Sequence, residues 1–131
     1  MMVLDLRASH EHSRDLFLDR LQSGYAEIGH RESCAIEMEL TSAAKVAPMN
    51  ETLRVHLARS ADELELSHVN VSSGAGHDMA HMSRIAPAAM IFIPCQDGLS
   101  HCPEEFTTKE AIAKGSAVLT RTVLTLAGRD F

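Results

Sequence analysis

Aromatic rings and long apolar runs are scarce in this sequence. Only 4% of its 131 residues are aromatic and tryptophan is absent, which disfavours the stacking platforms that bind single-stranded nucleic acids. No apolar run approaches the roughly 20 residues that a membrane-spanning helix needs. Residues 1–7 lack a basic region followed by a long apolar stretch, so we expect no signal peptide. The sequence therefore predicts no membrane partner.

Basic residues and cysteines are also few. The formal net charge is -6 and there is no long basic run, which argues against nucleic acid as a partner. The three cysteines, Cys34, Cys95 and Cys102, form no C-x-x-C pair, which disfavours a disulfide scaffold or a zinc ribbon. Reduced thiols are typical of a cytoplasmic protein. A hydrophobic content of 45% is enough for a packed core.

Hydrophobic periodicity in the first third predicts a strand, a helix and a second strand. Apolar and polar residues alternate over 2–7 and again over 34–40, which is the spacing of strands. Between them, helical spacing predicts a helix from residue 12 or 13 to about residue 28.

The remainder predicts three more helices and a buried strand. Asn50 is expected to cap a helix that ends near residue 64, and a short helix is expected over 78–85. The continuous apolar run at 89–93 is typical of a central strand. A capping box, with Thr107 as N-cap and Glu110 reaching back, should begin a helix that ends near residue 127. The alternation of helices and strands predicts an α/β fold.

A Gly-rich turn covers residues 73–78 and contains His77. Its backbone N–H groups could face an anion at a helix start. The turn has no following Lys-Ser/Thr and no third glycine, so it is neither a Walker loop nor a dinucleotide fingerprint. The plainer alternative is a simple turn between two elements.

A second loop places His101 just after the apolar run, close to Glu104 and Glu105. Open α/β sheets bind ligands beyond the carboxyl ends of their strands, and imidazole suits zinc and similar ions. The plainer alternative is a loop histidine beside surface acids. One histidine cannot complete a zinc site, which needs at least three protein ligands. Cys102 is a poor candidate nucleophile, because side chains of sequence neighbours usually diverge.

Three stretches taken together carry a family resemblance. They read Ser-Gly-Ala-Gly-His-Asp at 73–78, Pro-Ala-Ala-Met-Ile-Phe-Ile-Pro at 87–94 and Gly-Leu-Ser-His-Cys-Pro-Glu-Glu at 98–105. In this order they resemble the C-terminal signature of the amidase/hydantoinase-carbamoylase family. Members are two-metal amidohydrolases, such as N-carbamoyl-L-amino-acid hydrolase, β-ureidopropionase and allantoate amidohydrolase. Met79 stands where many relatives carry alanine.

The resemblance implies a fold and a division of the chain. The family has a zinc-exopeptidase-like α/β catalytic domain with an inserted α+β lid, or dimerisation, domain. Residues 1–45 look like the C-terminal part of the lid, and residues 46–131 like the C-terminal part of the catalytic domain. A homodimer is the implied assembly.

The resemblance also implies roles for individual residues. His101 would be a metal ligand. The implied substrate-binding residues are Arg7, His77 and Gly76, with Arg7 gripping the substrate carboxylate and His77 helping to hold the oxyanion. Supporting positions would be Asp78, Glu104 and Glu105. The general base, the other metal ligands and the lid asparagine that partners Arg7 would lie in an N-terminal portion absent from this sequence, so no catalytic residue is assigned here.

The implied function is hydrolysis of the linear amide or carbamoyl C–N bond of N-carbamoyl-L-amino acids or related ureido acids. Two divalent ions would serve the complete site, with zinc, manganese, cobalt and nickel all suited to histidine and carboxylate ligands. We expect the isolated chain to be inactive and to bind such ions weakly. The alternative, from another class, is a non-catalytic module that keeps only the dimerising surface.

Overall fold

The computed structural model describes residues 2–128, and its regular secondary structure there is helical. Within these residues four α-helices follow one another: α1 is Glu11–Arg31, α2 is Glu51–Glu63, α3 is Met79–Met82 and α4 is Lys109–Leu126. A 3-10 turn lies at Gln96–Gly98. No helix in this part of the chain is both long enough and apolar enough to cross a bilayer.

The predicted helix of the first third is present as α1, with somewhat wider limits. Glu11 in its first turn and His30 and Arg31 in its last turn complement the partial charges of the helix ends. The chain that follows α1 returns along it. The Arg14 guanidinium donates to the Ala44 carbonyl at 2.8 Å, and Glu11 accepts a hydrogen bond from a backbone N–H at 3.2 Å.

Helix α2 begins where the sequence predicted. The Asn50 side chain accepts a hydrogen bond from the Leu53 N–H at 3.0 Å, which satisfies one of the free donors at the helix start. The Asn50 N–H in turn donates to the carbonyl of Ala88 at 2.8 Å. This bond joins the start of α2 to the segment that leads into the apolar run. Ala88 itself is buried.

The last helix begins one residue later than the predicted capping box. Thr108, not Thr107, is the N-cap, and its hydroxyl accepts from the Ala111 N–H at 3.1 Å. The Thr107 hydroxyl instead donates to the Pro94 carbonyl at 2.6 Å. The prediction of Thr107 as cap was therefore wrong, because a long-range acceptor engages that hydroxyl. Helix α4 ends at Leu126, close to the predicted limit.

The three predicted strands are not formed within residues 2–128. The segments at 2–7, 34–40 and 89–93 do not form strands there, so these three predictions were wrong. A strand needs hydrogen bonds from a neighbouring strand, and alternation alone does not supply them. The run at 89–93 instead packs on α4. Gly115 permits a close approach, because a Cβ at that position would lie 2.5 Å from the Ile93 Cγ2.

The described chain forms two compact units. One contains residues 2–47 together with Val71–Ala80, and the other contains Pro48–Asn70 together with residues 81–128. In the second unit α2 packs on α4, and the most buried side chains there include Ser60, Ala61, Val118 and Thr122. In the first unit the Gly-rich turn joins the N-terminal segment, from which it is distant in sequence.

Candidate carboxylate and metal-ligand positions

Arg7 is held along one edge of its guanidinium by Asp5. Its Nη2 donates to Asp5 Oδ2 at 2.6 Å, and its Nε lies 3.1 Å from the same oxygen. The pair is exposed, with 61% of the Arg7 side chain and 64% of the Asp5 side chain accessible. Hydrogen bonding from Arg7, and then its charge, lowers the pKa of the Asp5 carboxyl. Asp5 raises the pKa of Arg7 by the same two effects.

Arg7 also contacts the Gly-rich turn, which belongs to the same compact unit. Its Nη1 donates to the Gly74 carbonyl at 3.2 Å. A Cβ at Gly74 would lie 3.4 Å from the Arg7 Cδ, so the glycine keeps the turn close to the arginine stem. This contact joins the two segments to which the resemblance assigned substrate binding.

The geometry leaves donors at the tip of the guanidinium. Arginine has five N–H groups. Asp5 takes one on Nε and one on Nη2, and Gly74 takes one on Nη1. One N–H therefore remains on each terminal nitrogen beyond these three bonds. A pair of N–H groups on the two terminal nitrogens matches the two oxygens of a carboxylate.

Within the turn, Ser73 anchors His77. The Ser73 hydroxyl oxygen lies 2.9 Å from the His77 Nε2 and accepts from the Ala75 N–H at 3.2 Å. The His77 carbonyl accepts from the Ala80 N–H as the chain enters α3. His77 is half-buried, whereas Gly76 and Asp78 on either side of it are exposed. A Cβ at Gly76 would meet no atom within 4 Å, so close packing does not require that glycine.

His101 lies in the other compact unit, on a loop that closes on itself. The loop runs from Cys95 to Phe106 and is joined at its base by the Gln96 N–H, which donates to the Phe106 carbonyl at 2.8 Å. The Cys95 thiol lies 2.8 Å from the Leu99 carbonyl oxygen and 3.3 Å from that of Phe106. Sequence reasoning assigned no role to Cys95. The sequence signal for this role was its position at the end of the apolar run, where the loop begins and its two ends must be held together.

The backbone at His101 is in the left-handed region, with φ of 58°. A non-glycine residue adopts this conformation infrequently, and histidine is among the more tolerant types. Glu105 holds it there, since its Oε2 accepts from the His101 N–H at 2.8 Å. The resemblance gives Glu104 and Glu105 supporting positions near His101. The observed bond from Glu105 orients the backbone of His101, and Glu104 is exposed.

The described residues do not fit a complete metal site. They contain no group of three or more histidine, cysteine, aspartate or glutamate side chains placed to hold one ion. His101 offers a single imidazole, and zinc needs at least three protein ligands. An ion bound at His101 would therefore need ligands from outside the described residues.

The architecture matches that of a solved hydrolase-type protein. A crystal structure described as an amidohydrolase/peptidase from Burkholderia cenocepacia superposes with a TM-score of 0.83 at 32% identity, covering 93% of this chain and 30% of that one. The model of Peptidase family M20/M25/M40 matches residues 8–125. The chain belongs to this family, which confirms the expected relationship to amidohydrolases and their fold.

Two relatives of the chain carry the names of an amidohydrolase and a hydrolase. An N-carbamoyl-L-amino-acid amidohydrolase of Paenarthrobacter aurescens is 30% identical over 124 residues, which is 95% of this chain and 30% of that protein. A ureidoglycolate hydrolase of Arabidopsis thaliana is 34% identical over 126 residues, which is 95% of this chain and 26% of that protein. The chain thus spans less than a third of the length of these relatives.

Proposed function

We propose that this chain is the C-terminal portion of a metal-dependent amidohydrolase that cleaves the C–N bond of N-carbamoyl-L-amino acids or related ureido acids. The observation that supports it most directly is the contact of Arg7 with Gly74, which brings a carboxylate-binding side chain to the turn that carries His77. The substrates named for the Paenarthrobacter relative combine a carboxylate with a carbamoyl carbonyl. Arg7 suits the first group.

In this proposal the residues of the first unit bind substrate. Arg7 grips the α-carboxylate through the N–H groups at its tip. His77, anchored by Ser73, donates to the carbonyl oxygen as negative charge develops on it, and Gly76 lines the same turn. Asp78, the next residue after His77, is the supporting position in this proposal.

His101 is proposed as one ligand of a divalent-metal site, with Glu104 and Glu105 supporting its loop. The ions, two per complete site and drawn from zinc, manganese, cobalt or nickel, would supply Lewis acidity and an activated water when bound. The remaining ligands and the general base belong to a portion outside this chain. We propose that the division at residues 45 and 46 separates lid from catalytic domain, that the protein is a cytoplasmic homodimer, and that the isolated chain is inactive.

The test is a chimera in which this chain replaces the matching 124-residue segment of the Paenarthrobacter enzyme. Hydrolysis of N-carbamoyl-L-amino acids, followed by ammonia release, should be detectable in the chimera, lost with a chelator and absent from the isolated chain. A folded chimera without turnover, checked by circular dichroism against the parent enzyme, would contradict the proposal. Such a chimera that still dimerises would instead support the non-catalytic interaction module.

A further inference from the structure

The arrangement around Arg7 contains a residue that the proposed function leaves without a role. Asp5 is neither a substrate group nor a proposed metal ligand, yet it makes the shortest contact of Arg7, at 2.6 Å. It occupies the edge formed by Nε and Nη2, which is itself a site where a carboxylate can dock in two parallel hydrogen bonds.

Two independent anchors fix the guanidinium. Asp5 holds one edge from two residues away in sequence, and the Gly74 carbonyl holds Nη1 from 67 residues away. A long flexible side chain that is exposed normally samples many rotamers, and a ligand that binds it must order them. With both anchors in place, that ordering is already done before a ligand arrives.

We propose that Asp5 is a positioning residue for carboxylate recognition. It holds Arg7 so that the remaining N–H groups on its two terminal nitrogens face a ligand together, beside the turn that carries His77. This inference rests on the proposed function, because it assumes that Arg7 receives the substrate carboxylate. Asp5 itself touches no substrate.

The contrary role is that Asp5 competes with the substrate as an internal carboxylate. The two roles predict opposite results when the charge of Asp5 is removed. A positioning residue leaves Arg7 mobile when it is replaced, so ligand binding weakens. A competitor frees an edge of Arg7 when it is replaced, so ligand binding tightens.

The experiment measures carboxylate binding by Asp5→Asn in the full 131-residue chain. The probes are N-carbamoyl-L-alanine and its carboxamide, which lacks the charge, titrated while the Arg7 Nε–H signal is followed by NMR. Asp15→Asn is the matched control, because Asp15 pairs with Arg14 in the same unit at 2.8 Å. We expect Asp5→Asn to weaken binding of the carboxylate about three- to tenfold, to leave the carboxamide unaffected, and to broaden or shift the Arg7 signal. Asp15→Asn should do none of these.

Asp5→Glu keeps a carboxylate at this position, so it should restore carboxylate binding at least in part. Such a recovery would distinguish loss of positioning from a general loss of structure. Binding that is tighter or unchanged in Asp5→Asn overturns the inference, as does a wild-type chain that binds both probes alike or neither. In the chimera, Asp5→Asn should raise KM more than it lowers kcat. A chimera that hydrolyses substrate equally well with Asp5→Asn and Asp15→Asn would overturn this inference and leave the proposed function standing. If the wild-type chain binds the carboxylate as expected but the chimera shows no turnover, the proposed function is contradicted and the role of Asp5 in binding is not.

Discussion

The hydroxyl oxygens of Thr122 and Ser60 lie 2.8 Å apart in the buried seam between α4 and α2. Thr122 is 4% exposed and Ser60 is 3% exposed, so neither has ready access to water. The Thr122 hydroxyl also lies 2.8 Å from the Val118 carbonyl oxygen of its own helix. Each hydroxyl carries one hydrogen, so two hydrogens are available for the two contacts. One can be donated to the Val118 carbonyl and the other can lie between the two hydroxyl oxygens. The seam is thus joined by a hydrogen bond between two buried hydroxyls, one from each helix.

We expect the two hydroxyls to be coupled energetically. Thr122→Val should lower the free energy of unfolding by about 1–2 kcal/mol, because it leaves the buried Ser60 hydroxyl without its partner. Ser60→Ala should cost less, because the Thr122 hydroxyl keeps its bond to the Val118 carbonyl. The double variant should cost less than the sum of the single variants, since it removes both polar groups together. Urea unfolding of all four proteins gives the coupling directly. If the effects of the two single variants simply add, the contact contributes no coupling free energy.

A second prediction concerns two glycines inside helices. Gly115→Ala places a Cβ 2.5 Å from the Ile93 Cγ2, and Ile93 is stiff because it branches at Cβ. We expect a destabilisation of about 1–3 kcal/mol from overpacking. Gly24→Ala in α1 meets no atom within 4 Å, so it should stabilise its helix by about 0.5–1 kcal/mol.

Hydrogen exchange, read separately in α1 and α4, measures each effect in its own unit. Adding Ile93→Leu to Gly115→Ala should recover part of the loss, because leucine has no branch at Cβ. If Gly115→Ala instead slows exchange in α4, as Gly24→Ala is expected to do in α1, then Ile93 does not pack closely against Gly115.

The third prediction follows from the ion-pair cluster of α2 and α4. Glu63 accepts from Arg121 at 2.9 and 3.0 Å and from Arg59 at 3.0 Å. Hydrogen bonding from Arg121 and then from Arg59 lowers the pKa of Glu63. A carboxyl whose pKa is depressed on folding adds stability above its unfolded pKa, and that stability is lost as pH falls through the folded pKa.

Arg121→Gln should therefore raise the pKa of Glu63 and move acid unfolding to higher pH. Arg59→Gln should have the same sign and a smaller size, since Arg121 is the larger cause. Carbon-detected NMR of the Glu63 carboxyl gives the pKa, and circular dichroism gives the acid transition. If Arg121→Gln leaves the pKa of Glu63 unchanged, Arg121 does not hydrogen-bond Glu63 in solution as described.

Local signals in the sequence were sufficient for the helices. Asn50 precedes an apolar periodic segment, and it does cap α2. Capping needs only atoms within four residues, so sequence spacing contains the necessary information. The same reasoning chose Thr107 over Thr108 at α4 and was wrong by one residue. The competing acceptor, the Pro94 carbonyl, is 13 residues away and has no local signature.

Long-range contacts could not be read from the sequence by spacing. Arg7 and Gly74 are 67 residues apart, and nothing in either segment specifies the other. The resemblance to a family suggested that Arg7 and His77 serve one substrate, but it gave no contact and no role for Asp5. The alternation at 2–7 and 34–40 predicted strands that the described residues do not form. It cannot say whether a neighbouring strand is present to pair with them.

The fourth prediction is self-association of the isolated chain. Four apolar side chains on α4 are about half exposed: Ile112 at 48%, Leu119 at 53%, Val123 at 54% and Leu126 at 49%. An apolar stripe of this kind favours association in water. We expect sedimentation velocity to show dimers or larger species at high concentration. Leu119→Lys should reduce them, whereas Thr120→Lys, one residue along the same helix, should not. A clean monomer at high concentration would contradict this prediction.

The last prediction tests whether His101 is the histidine that binds metal. A single imidazole supplies too few ligands for tight metal binding. His101→Ala should therefore change the metal content of the isolated chain little. In the chimera, where the host supplies the other ligands, the same substitution should lower metal content and nearly abolish turnover. His68→Ala is the matched control, because His68 is exposed and pairs with Asp62 at 3.0 Å. Elemental analysis and ammonia release measure the two effects. A chimera with His101→Ala that keeps normal metal content and a normal rate would show that the metal ligand is another residue.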